Sequence, residues 1–283
     1  GPCLAPPLLT LLMVTWGWRG MFIVTGVFGI LVAACWFAFY KSKARYLAEL
    51  PAEAREQLLA AQAHKQAVPS ARPSVQAQLA AWGALLRHKS TWGAVLGFMG
   101  VIYMLWLHLT WLPGYFEREH GLSLYQTAWV VSLAYVFGAL GTIVAGRICD
   151  RLVKHGASVL GSRKRVVVTA LFAAAAFTVP LSFGSGFLLS VALLCCALFS
   201  VNMASSTAWM IANTVVDSQR VASFGSIQNF GGYLAGSVAP IVTGFSIQQT
   251  GSFASAFLIS AAVAAVAAMA YVLLLKQPVS TDC

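Results

Sequence analysis

The chain has 283 residues, 59% of them hydrophobic and only 9% charged, with a formal net charge of +10. Soluble domains carry roughly a quarter charged residues, so this composition excludes a water-soluble globular fold and demands the bilayer as solvent. The positive charge does not signal nucleic acid, because the basic residues cluster between apolar runs, where basic flanks of membrane spans lie.

The first run, Gly1 to Val14, is too short to span a bilayer, which takes about 20 apolar residues. It ends at Thr15-Trp16-Gly17-Trp18-Arg19, a turn with the paired tryptophans expected at a membrane interface. Gly20 to Tyr40 is a full span, closed by Lys41, Lys43 and Arg45. Residues 41 to 90 form the one long polar stretch and read as a linker between two bundles. Pro51 sits at the first turn of an expected amphipathic helix, Ala52 to Gln66, and a break follows at Pro69-Ser70-Ala71-Arg72-Pro73. Val75 to Lys89 reads as a segment lying along the membrane surface.

Six further spans are predicted at residues 92 to 114, 125 to 147, 166 to 184, 187 to 212, 221 to 247 and 252 to 275. The fold is therefore all-α and polytopic. Three parts carry it: residues 1–40 as the end of one bundle, the linker 41–90, and a six-helix bundle over 91–276 followed by a tail, 277–283. With loops alternating across the membrane, 16 of the 18 basic residues fall on the linker side and only Arg19 and Arg118 on the other. The positive-inside bias then makes the linker and the C-terminus cytoplasmic, and the plasma (inner) membrane is the expected location. The six cysteines have no ligand-like spacing, and Cys3, Cys35, Cys195 and Cys196 lie in apolar runs, so they are assigned to packing and no metal is expected.

A long linker followed by six spans suits the second half of a twelve-helix transporter. Gly141-Thr142-Ile143-Val144-Ala145-Gly146-Arg147-Ile148-Cys149-Asp150-Arg151, with Gly161-Ser162-Arg163-Lys164-Arg165, resembles the loop signature of the major facilitator superfamily between helices 8 and 9. Within that superfamily the chain resembles the anion:cation symporter group, carriers of sugar acids such as galactonate, glucarate and hexuronates. The likeness rests on Gly1-Pro2-Cys3-Leu4-Ala5-Pro6-Pro7 with Trp16-Gly17-Trp18-Arg19-Gly20-Met21-Phe22, on Leu109-Thr110-Trp111-Leu112-Pro113, and on Gly225-Ser226-Ile227-Gln228-Asn229-Phe230-Gly231-Gly232-Tyr233.

The resemblance implies a helical bundle running from the end of helix 5 through helix 12, so the chain is read as N-terminally truncated. It implies secondary active transport of a small organic anion, with a proton or cation as coupling ion, no other cofactor, and a monomer in the lipid bilayer. In that family the first bundle supplies much of the anion binding and the coupling carboxylates. Asp150, Arg151 and Arg147 are implied as a cytoplasmic gate.

Polar side chains at membrane depth face a cavity or the bundle interior, so those sharing a helical face are the candidates for substrate. Tyr103, Trp106 and Thr110 fall on one stripe at 100° per residue. Asn202, Ser205, Ser206 and Trp209 fall on one face with Asn213, and Asn229 and Tyr233 share a stripe with Ser226 and Ser237, whereas Gln228 points elsewhere. Hydroxyls in membrane helices commonly bond their own backbone, and the tryptophans can equally serve packing. Asn229 is the first choice for substrate contact. The glycines around it, with Pro240, permit close packing and bending.

His108 is the histidine deep in a span, on a different stripe with Met104 and Trp111. It is a candidate proton relay because imidazole titrates near neutral pH; a bond to an adjacent helix is the alternative. No Asp or Glu falls inside a predicted span, with Glu117 and Glu119 in an outer loop and Asp150 and Asp217 in inner ones. Rival readings are a transporter-like sensor, a non-functional truncated product, or a drug exporter of the same fold. An enzyme is excluded, since no His, Asp or Cys constellation sits at membrane depth.

Overall fold

Hydrocarbon offers no water to backbone N–H and C=O groups, so a chain this apolar must satisfy them inside helices. The computed structural model describes residues 1–40, 51, 54–55, 74–218, 220–277 and 279, and among them every regular element is helical. Eight α-helices are described: α1 (Ala5–Phe39), α2 (Val75–Arg87), α3 (Lys89–His120), α4 (Leu124–Lys154), α5 (Val159–Thr178), α6 (Phe187–Val215), α7 (Val221–Thr250) and α8 (Ala254–Leu274). Seven of these, all but α2, are long and apolar enough to cross a membrane, α5 together with the 3-10 turn Val179–Phe183 that continues it. The expected helix at 52 to 66 lies almost wholly outside the described residues, as does most of the tail.

Helix α1 joins the short first run to the first full span. At Gly17 the backbone leaves helical geometry, with φ 69° and ψ 176°. Only glycine adopts such a φ without strain, which is why the break falls there, between Trp16 and Trp18. Arg19 lies over the Trp18 ring, 5.1 Å from its centre, a contact of cation with aromatic face.

The chain divides into two compact units, one of Leu11–Ala81 and one of Gly1–Thr10 with Trp82–Cys283. The second unit thus begins inside the stretch read as linker. The reason is Leu85, which is fully buried and belongs to the core of the bundle. At the other end of this unit's chain, the Ser132 hydroxyl of α4 donates to the Cys3 carbonyl.

Within the bundle α3 is central, packing against α7, α8 and α6, while α6 packs against α4 and α5 and α8 against α5. Lipid is as apolar as leucine, so helices associate through close packing rather than hydrophobic drive, and small residues allow it. At Gly141 of α4 a Cβ atom would lie 2.1 Å from the Phe199 carbonyl oxygen of α6. The two backbones meet because no side chain intervenes.

The structure corrects the reading of residues 147 to 165 as a long loop. Helix α4 runs on to Lys154 and α5 begins at Val159, so Arg147, Asp150 and Arg151 are helical, in the last turns of α4, and exposed to solvent or lipid. The charges there mark helix ends, not a loop. A Ser158 N-cap, whose side chain accepts from the Gly161 N–H, starts α5 one turn before its basic residues. Likewise Glu117 and Glu119 lie in the last turn of α3 rather than in a loop.

The basic run at the start of α5 reaches two other helices. Arg163 donates to the Met210 carbonyl at 2.6 Å and to the Thr214 hydroxyl, at the C-terminal end of α6. Lys164 Nζ donates to the carbonyls of Val272 at 3.0 Å and Leu275 at 2.7 Å, at the end of α8. The last carbonyls of a helix lack intrahelical partners and carry partial negative charge. Lys164 meets both needs at the end of α8, whereas the Met210 carbonyl reached by Arg163 lies just inside the end of α6 and also accepts from the Thr214 hydroxyl at 2.9 Å.

Two stability predictions follow from this packing. Gly141→Ala should force α4 from α6 and cost about 1–3 kcal/mol, read as a lowered Tm in detergent, whereas Gly146→Ala, with open space at its Cβ, should leave Tm nearly unchanged. Arg163→Met should cost on the order of 1.5–3 kcal/mol, the range for hydrogen bonds to charged groups, while Arg165→Met, at an exposed position, should cost little. Equal Tm values for the two arginine variants would show that the α6 end does not depend on Arg163.

Candidate functional site

The helices that carry the three expected polar stripes, α3, α6 and α7, pack on one another, α3 against both α6 and α7. Rings of α3 seat on glycines of α7: Phe98 on Gly232, Trp106 on Gly236 and Trp111 on Gly244, where added Cβ atoms would come within 2.5, 2.6 and 3.2 Å of those rings. Gly225 has open space instead. The contacts occur in the same order along both chains, so α3 and α7 run parallel. Phe98 also meets Trp209 of α6 edge to face, with centroids 5.4 Å apart. Phe98 therefore links the aromatic candidate of α6 to the glycine face of α7.

Asn229 and Tyr233 lie seven and three residues before Gly236, so they share the helical face that Trp106 covers at the glycine. Asn229 is half-buried, and its Oδ1 is buried without a hydrogen-bond partner. The Oε1 of the neighbouring Gln228 is likewise buried without a partner. Trp106, Trp209 and Tyr233 are partly exposed large rings, and Thr110 is exposed on the same helix as Trp106. Asn229 and Tyr233 thus bring an amide and a phenol to the side of α7 on which the Trp106 indole rests.

Other candidates are placed differently. While Trp106 on the same stripe is partly exposed, Tyr103 is buried in the core, lining one space with Ala235 and Val238 of α7 and Val263 of α8. Its hydroxyl lies near Thr243 without closing a hydrogen bond to it. The 60° between Tyr103 and Trp106 on the helical wheel suffices to put one under α7 and leave the other at its edge. Asn202 donates to its own helix at the Leu198 carbonyl, 2.9 Å, and lies against Gly138 of α4. Ser206 donates to Met203, Ser226 to Ala222 and Ser237 to Tyr233, all within their own helices. Ser205 is half-buried.

Gln228, set aside in the sequence reading, is nearly fully buried, and its amide donates to the Ala208 carbonyl at 3.1 Å, tying α7 to α6. The signal for it was present in the sequence: a long amide on the side of Gly231 and Gly232, about 100° around the helix from Asn229. His108 is buried, with Nδ1 donating to the Met104 carbonyl of its own helix at 2.6 Å. It does not bond an adjacent helix. Among the described residues no three His, Cys, Asp or Glu side chains gather in a metal-binding group.

Comparison with known proteins agrees with this architecture. The chain is 37% identical to the "Probable L-galactonate transporter" of Escherichia coli (strain K12) over 99% of its own length and 60% of that protein's. It is 28% identical to the "Hexuronate transporter" of Bacillus subtilis (strain 168), over 96% of this chain and 61% of that one. With the "D-galactonate transporter" of Escherichia coli O6:H1 it shares 27% identity over 95% of its length and 62% of the relative's. The chain thus spans about 60% of the length of these relatives, each named a transporter and none an enzyme. In fold it is similar to a solved bacterial homologue of the human lysosomal transporter Spinster, in its inward-facing and unoccupied conformation, with TM-score 0.59 and 16% identity over 94% of this chain and 61% of that one. The Major Facilitator Superfamily pattern matches residues 1–240, and the chain, a multi-pass all-helical membrane protein, belongs to that superfamily.

Proposed function

We propose that the complete protein is a secondary active transporter that carries a small organic anion, a sugar acid, across the plasma (inner) membrane by alternating access with proton symport, working as a monomer. The observation that carries the substrate class is the likeness, over almost the whole chain, to proteins named for galactonate and hexuronate transport. The linker and C-terminus are cytoplasmic in this reading, on the strength of the 16 basic residues gathered on that side.

Asn229 is the principal substrate contact of this bundle. Its unpartnered oxygen accepts from a sugar hydroxyl, and the same amide donates through its nitrogen. The indoles of Trp106 and Trp209 and the phenol of Tyr233 supply further donors and apolar surface for the carbon chain. Thr110 extends the Trp106 stripe of α3, while Asn202, Ser205 and Ser206 are further candidates on α6 and Tyr103 is a buried one on α3. Glu117, Glu119 and Asp150 sit in terminal turns, so the coupling proton within this bundle falls to His108. Arg147, Asp150 and Arg151, exposed at the end of α4, act as the cytoplasmic gate.

Uptake of labelled L-galactonate by the complete protein in proteoliposomes tests the reading. An inward proton gradient should drive accumulation and an uncoupler should abolish it; accumulation indifferent to the gradient removes the proton, and failure to take up any sugar acid removes the substrate class. Asn229→Ala should raise KM roughly tenfold or more, about the 1.4 kcal/mol of a typical lost hydrogen bond, at unchanged Tm. Gln228→Leu should instead lower Tm.

A further inference from the structure

The start of α3 and the end of α8 bring positive charges together. Lys89 opens α3, with His88 just before it, and Lys276 follows α8 by two residues. Both lysines are exposed, and among the described residues neither ammonium group has a hydrogen-bond or ion-pair partner. Lys164, held by the carbonyls of Val272 and Leu275, adds a further positive charge close enough to Lys276 for the two to repel. The backbone is pinned at this place. The Ser90 hydroxyl donates to the Gln277 carbonyl at 2.8 Å, so the sequence neighbours of Lys89 and Lys276 are bonded to each other. A Cβ at Gly93 would lie 2.7 Å from the Leu275 backbone nitrogen. Beyond α8, the Val279 N–H donates to the Val215 carbonyl of α6 at 2.7 Å.

These ends enclose a cavity of about 690 Å³, lined by His88, Lys89, Lys276 and Gln277 and by the apolar surfaces of Trp92 and Leu273, with no carboxylate in its wall. The Trp92 indole is fixed there, its N–H donating to the Leu86 carbonyl at 2.8 Å. Trp92 and Leu273 are exposed large side chains near the ends of spanning helices, where hydrocarbon gives way to headgroups. The combination narrows the occupant. Inorganic phosphate would use the lysines but gain nothing from an exposed indole and leucine. A zwitterionic lipid would use the apolar surface but bring a cation of its own to an already positive place. A phospholipid of net negative charge uses both.

We infer that this cavity is a binding site for an anionic phospholipid, its headgroup phosphate taken by Lys89 and Lys276 and its acyl chains lying along Trp92 and Leu273. A lysine ammonium binds phosphate as a point charge, and basic pockets between the ends of membrane helices are a setting in which such headgroups bind. The headgroup offsets the repulsion between Lys164 and Lys276 and joins the start of α3 to the end of α8. On the orientation proposed above, the lipid comes from the cytoplasmic leaflet, whose surface is negative.

The test is lipid retention by the full chain, purified from mixed micelles of phosphatidylglycerol and phosphatidylcholine with matched acyl chains, the bound lipid being extracted and quantified by mass spectrometry. In micelles the result depends neither on orientation nor on transport, so it stands or falls apart from the proposed function. We expect phosphatidylglycerol to be retained several-fold over phosphatidylcholine. Lys89→Gln with Lys276→Gln should lower its retention about fivefold or more, the effect of even one basic group near an anionic surface. Lys89→Arg with Lys276→Arg should keep it, and Lys276→Gln alone, beyond the last helix, serves where the paired glutamine variant does not fold. Lys154→Gln with Arg165→Gln removes two exposed charges outside the cavity and should leave retention nearly unchanged. A wash with inorganic phosphate should remove no more lipid than chloride at equal ionic strength. Equal retention of the two lipids, no loss in the Lys89 and Lys276 variants, or an equal loss in the Lys154 and Arg165 pair overturns the site, and displacement by inorganic phosphate overturns the lipid in favour of a soluble anion.

Discussion

Every feature of this bundle depends on one constraint: in hydrocarbon, a backbone or side-chain polar group must find its partner inside the protein. Helices satisfy the backbone along their length, and that leaves the question of what holds helix to helix when the surrounding solvent is itself apolar. The structure answers with contact at short range. Gly141 lets α4 rest on the backbone of α6, and three rings of α3 seat on three glycines of α7. Where a polar bond crosses between helices, as from Gln228 to Ala208, it is enclosed by the same packing.

The constraint bears hardest at helix ends, where the last carbonyls have lost their intrahelical partners. Lys164 on the first turns of α5 closes the end of α8, and its neighbour Arg163 ties α5 to the last turns of α6 through the Met210 carbonyl and the Thr214 hydroxyl. One short basic run therefore holds three helices at the same level. The positive charges that separate one side of the sequence from the other are in this place also hydrogen-bond donors with fixed acceptors, and the connection between α4 and α5 shrinks to residues 155–158 because the charges belong to the helices.

Much of this was legible before any coordinates. Apolar runs of membrane length, broken by charge, marked out the six spans of the bundle and the break at Gly17, because the hydrophobic thickness of a bilayer acts on composition directly. Helical periodicity placed Asn229 with Tyr233 and apart from Gln228, and placed His108 with Met104 and Trp111, and the structure keeps both groupings. What periodicity could not tell is which side of a stripe a neighbour covers. Tyr103 and Trp106 share a stripe, yet α7 buries the first and leaves the second at its edge. Nor could it see that a basic segment was helix terminus rather than loop, since charge alone looks the same in both, and only the Ser158 cap and the carbonyls of Met210, Val272 and Leu275 distinguish them.

Among the described residues, buried side-chain polar atoms that find no partner in the bundle include Asn229 Oδ1, Gln228 Oε1, His108 Nε2 and the hydroxyls of Tyr103, Thr243 and Tyr271. Several of them lie along the pairing of α3 with α7, which seats Trp106 on Gly236 and Trp111 on Gly244. Sliding α7 along α3 would unseat the two rings together, along with Phe98 on Gly232. The three seats together set the register of α3 against α7.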